Sequence, residues 1–294
     1  MTLSAAVSAA LVEAGVDPEV VVDLARRALD EDLMGGGDVT SVATVPFDQE
    51  GIADVVARAD GVIAGLPVAA AIFELAADDD ITVSLRMADG DAVTKGDVVL
   101  TATGLTRTLL TAERSALNAL CHLSGIATQT RRWVDAVAGT KATILDTRKT
   151  TPGLRVLEKY AVRCGGGAGF RMGLSDCAMV KDNHVIAAGG VANAYRAVRE
   201  TFPDVPVEVE CDSVAQVLEA IEAGADLLLL DNMDTATLRE AVKAADGRAR
   251  LEASGGLTLD RAREVAETGV DYLSVGALTH SAPVLDLAFD LRRR

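Results

Sequence analysis

Aromatic residues make up only 3% of the 294-residue sequence, with a single Trp, and there are three His. Ala, Val, Leu and Gly carry the apolar half instead, the texture of a parallel α/β protein with Val/Leu strands and Ala-rich helices. The four cysteines, Cys121, Cys164, Cys177 and Cys211, form no CxxC pair and no metal-ligand spacing; they read as reduced, mostly buried thiols of a cytoplasmic protein. Basic charge is also short. Against 44 acidic residues stand 28 basic ones, a net charge of −16, which argues against nucleic acid and anionic membranes as partners. The longest apolar stretch, Val62–Phe73, contains Gly65 and Pro67 and is too short to span a bilayer. The N-terminal stretch has no basic region before its Ala-rich run, which Glu13 interrupts, so it reads as a short amphipathic helix rather than a signal peptide. No GxGxxG follows a first strand, which disfavours a dinucleotide fold.

What is present divides into two parts. Val20–Leu33 has helical spacing and stops at Gly35-Gly36-Gly37, a strong breaker. From Gly51 the pattern is that of strands, with one helix over Val68–Ala77 and a hairpin-like, turn-rich segment, GDAVTKGDVVLTATG. The spacing then predicts two helices, Thr106–Leu123 and Ser124–Val137. After Ala142, strand-like runs alternate with helices: ATILDTRK, AMVKDNH, VEVECDS, LLLLDN, RLEASGG and YLSVGA. Six β/α units predict a parallel sheet. The expected architecture is an N-terminal α+β open sandwich domain, residues 1–120, followed by a (β/α) barrel of fewer than eight units, residues 121–278, with the tail 279–294 packing back on the first domain.

Ligands of such barrels bind at the carboxyl ends of the strands. There the sequence sets Arg148 and Lys149, Lys181, Glu208 and Glu210, Asp231, Ser254-Gly255-Gly256 and Gly276. Side chains alternate along a strand, so Glu208 and Glu210 share a face. Buried carboxylates need partners, and the candidates are a divalent cation, sugar hydroxyls or the lysines. Ser-Gly-Gly ahead of a helix offers backbone N–H groups and the positive end of a dipole to a phosphate. The segment CGGGAGFRMG adds a glycine-rich loop able to close over a ligand, with Arg171 in reach. Cations first, carboxylates in the middle and a phosphate cradle last suit an anionic acceptor and a sugar phosphate.

The segments TAERSALNALCHLSGIAT, DTRKTTPGLRVLEKYAVRCGGG, KDNH, VEVECDS, LLLLDNM, EASGG and DYLSVGALTHS resemble those of the quinolinate phosphoribosyltransferases, the carboxylating nicotinate-nucleotide pyrophosphorylases of NAD synthesis, in the same order. The resemblance implies a pentosyltransferase that joins quinolinate to phosphoribosyl pyrophosphate, with decarboxylation, to give nicotinate mononucleotide. It implies a cytoplasmic homodimer with shared active sites, with assembly into hexamers left open. Arg114 would reach into the partner's site, while Arg148, Phe170, Arg171 and Lys181 would line the pyridine acid. Lys149, Glu210 and Asp231 would be catalytic and face phosphoribosyl pyrophosphate, with Glu210 and Asp231 holding Mg²⁺. Ser254, Gly255, Gly256, Gly276 and His280 would surround the phosphates.

One departure stands out. Where the family has Asn-His-Arg after the triple glycine, this chain has Gly169-Phe170-Arg171. Phenylalanine cannot donate a hydrogen bond, which leaves three readings: quinolinate with another donor compensating, for which His184 and His122 are candidates; a paralogue using a different pyridine carboxylic acid; or an impaired site. Two rivals outside the family are a Schiff-base aldolase using Lys149 or Lys181 and a non-catalytic phosphosugar-binding sensor.

Overall fold

The structure is a computed structural model that describes residues 3–76 and 81–293. It divides into two compact units: Met1–Gln129 with Val156–Gly166 and Ala282–Arg294, and Thr130–Arg155 with Gly167–Ser281.

The first unit opens with three helices, α1 (Ala5–Glu13), α2 (Pro18–Leu33) and α3 (Val39–Thr44). Asp17 starts α2 by accepting from the Glu19 N–H, Pro18 occupies its first turn, and Val21, Ala25 and Leu29 form its buried stripe, the pattern expected of an amphipathic helix with a side-chain cap. Strands β1 (Glu50–Ala57) and β2 (Gly61–Val62) follow, then α4 (Leu66–Leu75), β3 (Thr82–Leu85), β4 (Ala92–Val93) and β5 (Val98–Leu105). The helix expected over Val68–Ala77 corresponds to α4; Ala77 lies outside the described residues. The Asp89 carboxylate accepts from the first N–H groups of this helix, those of Gly65 and Leu66, and Tyr160 donates to it at 2.5 Å.

Two sequence expectations change here. The turn-rich segment is not a hairpin: β4 pairs with β2, whereas β5 pairs with β1 and β3. Its turns send the two strands to different sheets, because the Gly96 N–H bonds Ala57 and the Gly90 N–H bonds Ile63. The two helices expected between 106 and 137 are one, α5 (Thr106–Ala136). Gly125 does not break it. A Cβ there would lie 2.2 Å from the Pro283 carbonyl oxygen, so this glycine admits a crossing backbone. One residue before it, the Ser124 hydroxyl accepts from the Ala64 N–H at 3.0 Å in the core. The compact units part within this helix rather than at 120/121, since its residues up to Gln129 belong to the first.

The second unit holds six parallel strands: β6 (Thr143–Leu145), β7 (Ala178–Val180), β8 (Val207–Cys211), β9 (Leu227–Asp231), β10 (Arg250–Ser254) and β11 (Tyr272–Ser274). Between β6 and β7 the chain forms α6 (Arg155–Cys164), most of which belongs to the first unit. The order is β6-β11-β10-β9-β8-β7. The first strand therefore pairs with the last, as in a barrel and unlike an open doubly wound sheet. Leu227–Leu230 are all buried, the continuous apolar run expected of a strand covered on both faces. Connections after β7 run through α7 (Asp182–Ala188), α8 (Val191–Thr201), α9 (Val214–Glu222), α10 (Thr235–Ala245), α11 (Ala262–Ala266) and α12 (Ala277–His280). Between β6 and β7, Ala168 bridges to the first strand, donating to Ile144 and accepting from Asp146. The last strand, β12 (Leu287–Arg293), pairs antiparallel with β1 in the first unit's sheet, order β12-β1-β5-β3. Phe289 of β12 stacks on Phe73 of α4 with centroids 6.2 Å apart.

Candidate active site

A cavity of about 670 Å³ opens at the carboxyl ends of the parallel strands. It brings together most of the residues singled out in the sequence: Arg148, Lys149, Phe170, Arg171, Lys181, Glu210, Asp231, Ser254, Gly255 and Gly256 all line it. Gly276 and His280 do not line it. They adjoin Lys149 instead, for a Cβ on Gly276 would lie 2.9 Å from Lys149 Cδ and 3.2 Å from His280 Nε2. Arg114 is exposed on α5 in the first unit and is not among the lining residues. Of the two compensating histidines, His122 bonds the buried Glu158 at 2.8 Å, and His184 Nδ1 accepts from Lys181 N–H at the start of α7.

One side of the mouth is cationic. Burial, with the guanidiniums of Arg171 and Arg155 close by, pushes Arg148 below its ordinary pKa. Crowded cations of this kind await an anion. Arg155, which sequence reasoning missed, shapes this edge: it donates to Thr150 Oγ1 at 3.0 Å, to the Met172 carbonyl at 2.9 Å and to the Arg148 carbonyl at 3.3 Å. The glycine-rich segment is correspondingly pinned. Asp176 accepts from Met172 N–H at 2.5 Å and Gly173 N–H at 2.9 Å, and Gly169 lies so close to the Asp146 carboxylate that a Cβ would come within 2.2 Å of it.

The carboxylates fall into two sets. At the rim, one oxygen from each of Glu210, Asp212 and Asp231 lies within 4.8 Å of the others. Lys181 Nζ sits 3.1 Å from Glu210, and Asn232 donates to Asp231 at 2.7 Å. Three converging carboxylates suit a hard divalent cation, which takes oxygen ligands. Asp212 is a further acid that strand alternation does not find, because it sits just past the strand end.

On the floor lie Glu208 and Glu252, 1% and 4% exposed. Both oxygens of Glu208 and one of Glu252 have no hydrogen-bond partner. Burial first, and then the neighbouring Glu252 carboxylate, raise Glu208 far above the usual range, and burial raises Glu252 as well. Two neighbouring buried acids oppose one another's ionisation, so the neutral form of each is favoured over a pair of buried charges. Glu252 was legible, since it stands two residues before Ser254 on the same strand face.

The phosphate cradle differs from expectation. Gly255 and Gly256 have φ of +88° and +58°, and a Cβ on Gly255 would meet Asn232 Oδ1 at 2.3 Å, so only glycine fits. No helix begins directly after them. The next turn is a 3₁₀ turn, Leu259–Arg261, and α11 is five residues long. A helix that short and that late brings little dipole to the site; the loop's own N–H groups are what it offers.

Residues 126–290 match the model of the quinolinate phosphoribosyl transferase C-terminal domain, and residues 38–124 that of its N-terminal domain. The chain belongs to this family. Among quinolinate phosphoribosyl transferase relatives it is similar to the nicotinate-nucleotide pyrophosphorylase [carboxylating] of Mycobacterium leprae, 51% identical over 92% of this chain and 96% of that protein. The chloroplastic counterpart of Arabidopsis thaliana is 40% identical over 99% of this chain and 90% of its own length. Among solved structures, NadC from Streptococcus pyogenes superposes with a TM-score of 0.91 at 41% identity, covering 95% of this chain and 99% of that one. No described helix is long and apolar enough to cross a membrane.

Proposed function

We propose that the protein transfers the phosphoribosyl group of phosphoribosyl pyrophosphate to quinolinate, releasing pyrophosphate and CO₂ and forming nicotinate mononucleotide for NAD synthesis. The observation that carries this reading is one cavity lined by Arg148, Arg171 and Lys181 together with Glu210 and Asp231, two members of the carboxylate cluster that Asp212 completes. The cations pair with the two ring carboxylates of quinolinate. The pyridine nitrogen is already nucleophilic and needs no base. Its lone pair forms the bond to C1′ as the C1′–oxygen bond breaks and pyrophosphate leaves with that pair. Positive charge builds at C1′, where Glu210 and Asp231 stabilise it. The alkylated nitrogen then draws the electrons of the adjacent C2–carboxylate bond into the ring; CO₂ departs and C2 takes up a proton.

Glu210, Asp231 and Asp212 would hold Mg²⁺, which when bound neutralises the pyrophosphate group. Lys149, Ser254, Gly255, Gly256, Gly276 and His280 surround the phosphates, and Phe170 lies against the pyridine acid. Arg114, exposed and outside the cavity's own lining, suits a homodimer in which it enters the partner's site. The four free cysteines suit a cytoplasmic protein. Family membership favours quinolinate over another pyridine acid, and the engagement of Lys181 with Glu210 disfavours a Schiff-base role. The test is steady-state turnover of quinolinate with phosphoribosyl pyrophosphate and Mg²⁺, following pyrophosphate and CO₂ together. Equal release of both is the expected result; turnover of another pyridine acid in place of quinolinate would overturn it.

A further inference from the structure

Phe170 is 44% exposed in a cavity whose other walls are mostly charged. An aromatic ring left open to water there forgoes burial that a flat ligand would restore. The chain on either side of it is tethered. Ala168 is bonded into the edge of β6, Gly169 lies hard against the Asp146 carboxylate, and Arg171 is held by the Cys177 carbonyl at 3.0 Å. Among the described residues no guanidinium packs over the Phe170 ring, the cation–ring pair being Arg163 with Tyr160. The ring is thus exposed in the same cavity as Arg148, Arg171 and Lys181, the cations that would take a ring's carboxylates.

We propose that Phe170 is a catalytic contact that senses the charge of the acceptor ring: the pyridine lies on its face, and the contact tightens as the ring becomes a pyridinium. This rests on the reading of the acceptor as quinolinate. The acceptor nitrogen spends its lone pair on the new bond to C1′, so a neutral aromatic ring acquires a full positive charge. The face of a benzene ring carries the negative end of a quadrupole and attracts cations. Binding that grows from ground state to transition state is the kind that raises kcat. A polar or aliphatic side chain at 170 would lack this differential contact.

The experiment compares wild type with Phe170→Leu and Phe170→Trp. Three quantities are read: kcat and KM for quinolinate, the Kd of nicotinate mononucleotide, whose ring is cationic, and the Kd of benzene-1,2-dicarboxylate, whose ring is not. Phe170→Leu is expected to lower kcat/KM about tenfold, mainly in kcat, and to weaken the mononucleotide by a similar factor while changing benzene-1,2-dicarboxylate by no more than about twofold. Phe170→Trp, which keeps an aromatic face, is expected to lose less than Phe170→Leu in both kcat and mononucleotide affinity. Equal weakening of both ligands by Phe170→Leu would reduce the ring to an apolar wall, and unchanged constants would remove it from the site. If Phe170→Leu instead changes the sedimentation of the protein, the ring belongs to a contact with another copy and the proposal fails. Should wild type bind benzene-1,2-dicarboxylate but not turn over quinolinate, the acceptor assignment fails, which is a different result from any of these.

Discussion

Glu208 and Glu210 stand two residues apart on one strand, point into one cavity and have opposite environments. Glu210, at the rim, has Lys181 beside it and two further carboxylates within reach. Glu208, one layer down, is 1% exposed with neither oxygen hydrogen-bonded. Depth along the strand, not residue type, decides which acid is an anion. Near the mouth, water and lysine keep the charge affordable and available to a cation. On the floor, desolvation favours the neutral acid, and a second acid beside it opposes ionisation further. The site therefore separates its working charge from its structural acids by a single pleat of β8.

The sharpest way to break this comparison is at the rim. Asp231→Ala or Glu210→Ala should lower kcat/KM by about 10²–10³ and leave the melting temperature nearly unchanged, checked by turnover and calorimetry on the same samples. The floor should behave inversely. Burial, and then the Glu252 carboxylate, hold native Glu208 in its protonated form well above the pH near 4.3 at which an unfolded glutamate releases its proton. The native state thus binds more protons across that range, and stability falls as pH rises through it. Glu208→Gln removes this dependence: it should melt about 3 °C above wild type at pH 9 and match it at pH 4, with kcat/KM within about tenfold. A loss of activity as large as that of Glu210→Ala would dissolve the distinction.

How much of this was visible in the residues follows from the same physics. Strand ends are local, so alternation and breakers located Arg148, Lys181, Glu210 and Asp231 and put Glu208 and Glu210 on one face. The partners of those residues depend on which strands are neighbours. Asp212 meets Asp231 only because β8 and β9 pair in register, Val209 opposite Leu228, and Arg155 reaches Arg148 only through the fold of a loop. The single helix across 106–136 was hidden because glycine reads as a breaker until the backbone that presses on it, Pro283, is known. The missing dipole behind Ser-Gly-Gly has the same origin: a 3₁₀ turn and a short helix satisfy the same sequence cues.

Two smaller tests sharpen the division. Asp212→Asn should raise the Mg²⁺ concentration for half-maximal activity about tenfold with little change in saturated kcat; no change would confine the cation to Glu210 and Asp231. The smallest effect concerns thiols, raised by the same desolvation that neutralises Glu208. Cys164 is pushed up to about 11 and Cys211 to about 12, so at pH 8 the fraction of thiolate falls below that of an unfolded cysteine. Alkylation of the native protein at these two positions should be slower than in the denatured chain, read by peptide mass.

The pairing of β12 with β1 sets an order on synthesis. Arg58 and Asp290, whose side chains meet at 2.6 Å, are 232 residues apart in sequence. On a ribosome that delivers about 5–20 residues per second, β1 waits for most of translation with one edge unpaired, while all six strands of the parallel unit emerge before β12 does. The nascent chain thus carries an open strand edge for many seconds, the period in which it most needs a chaperone to cover it.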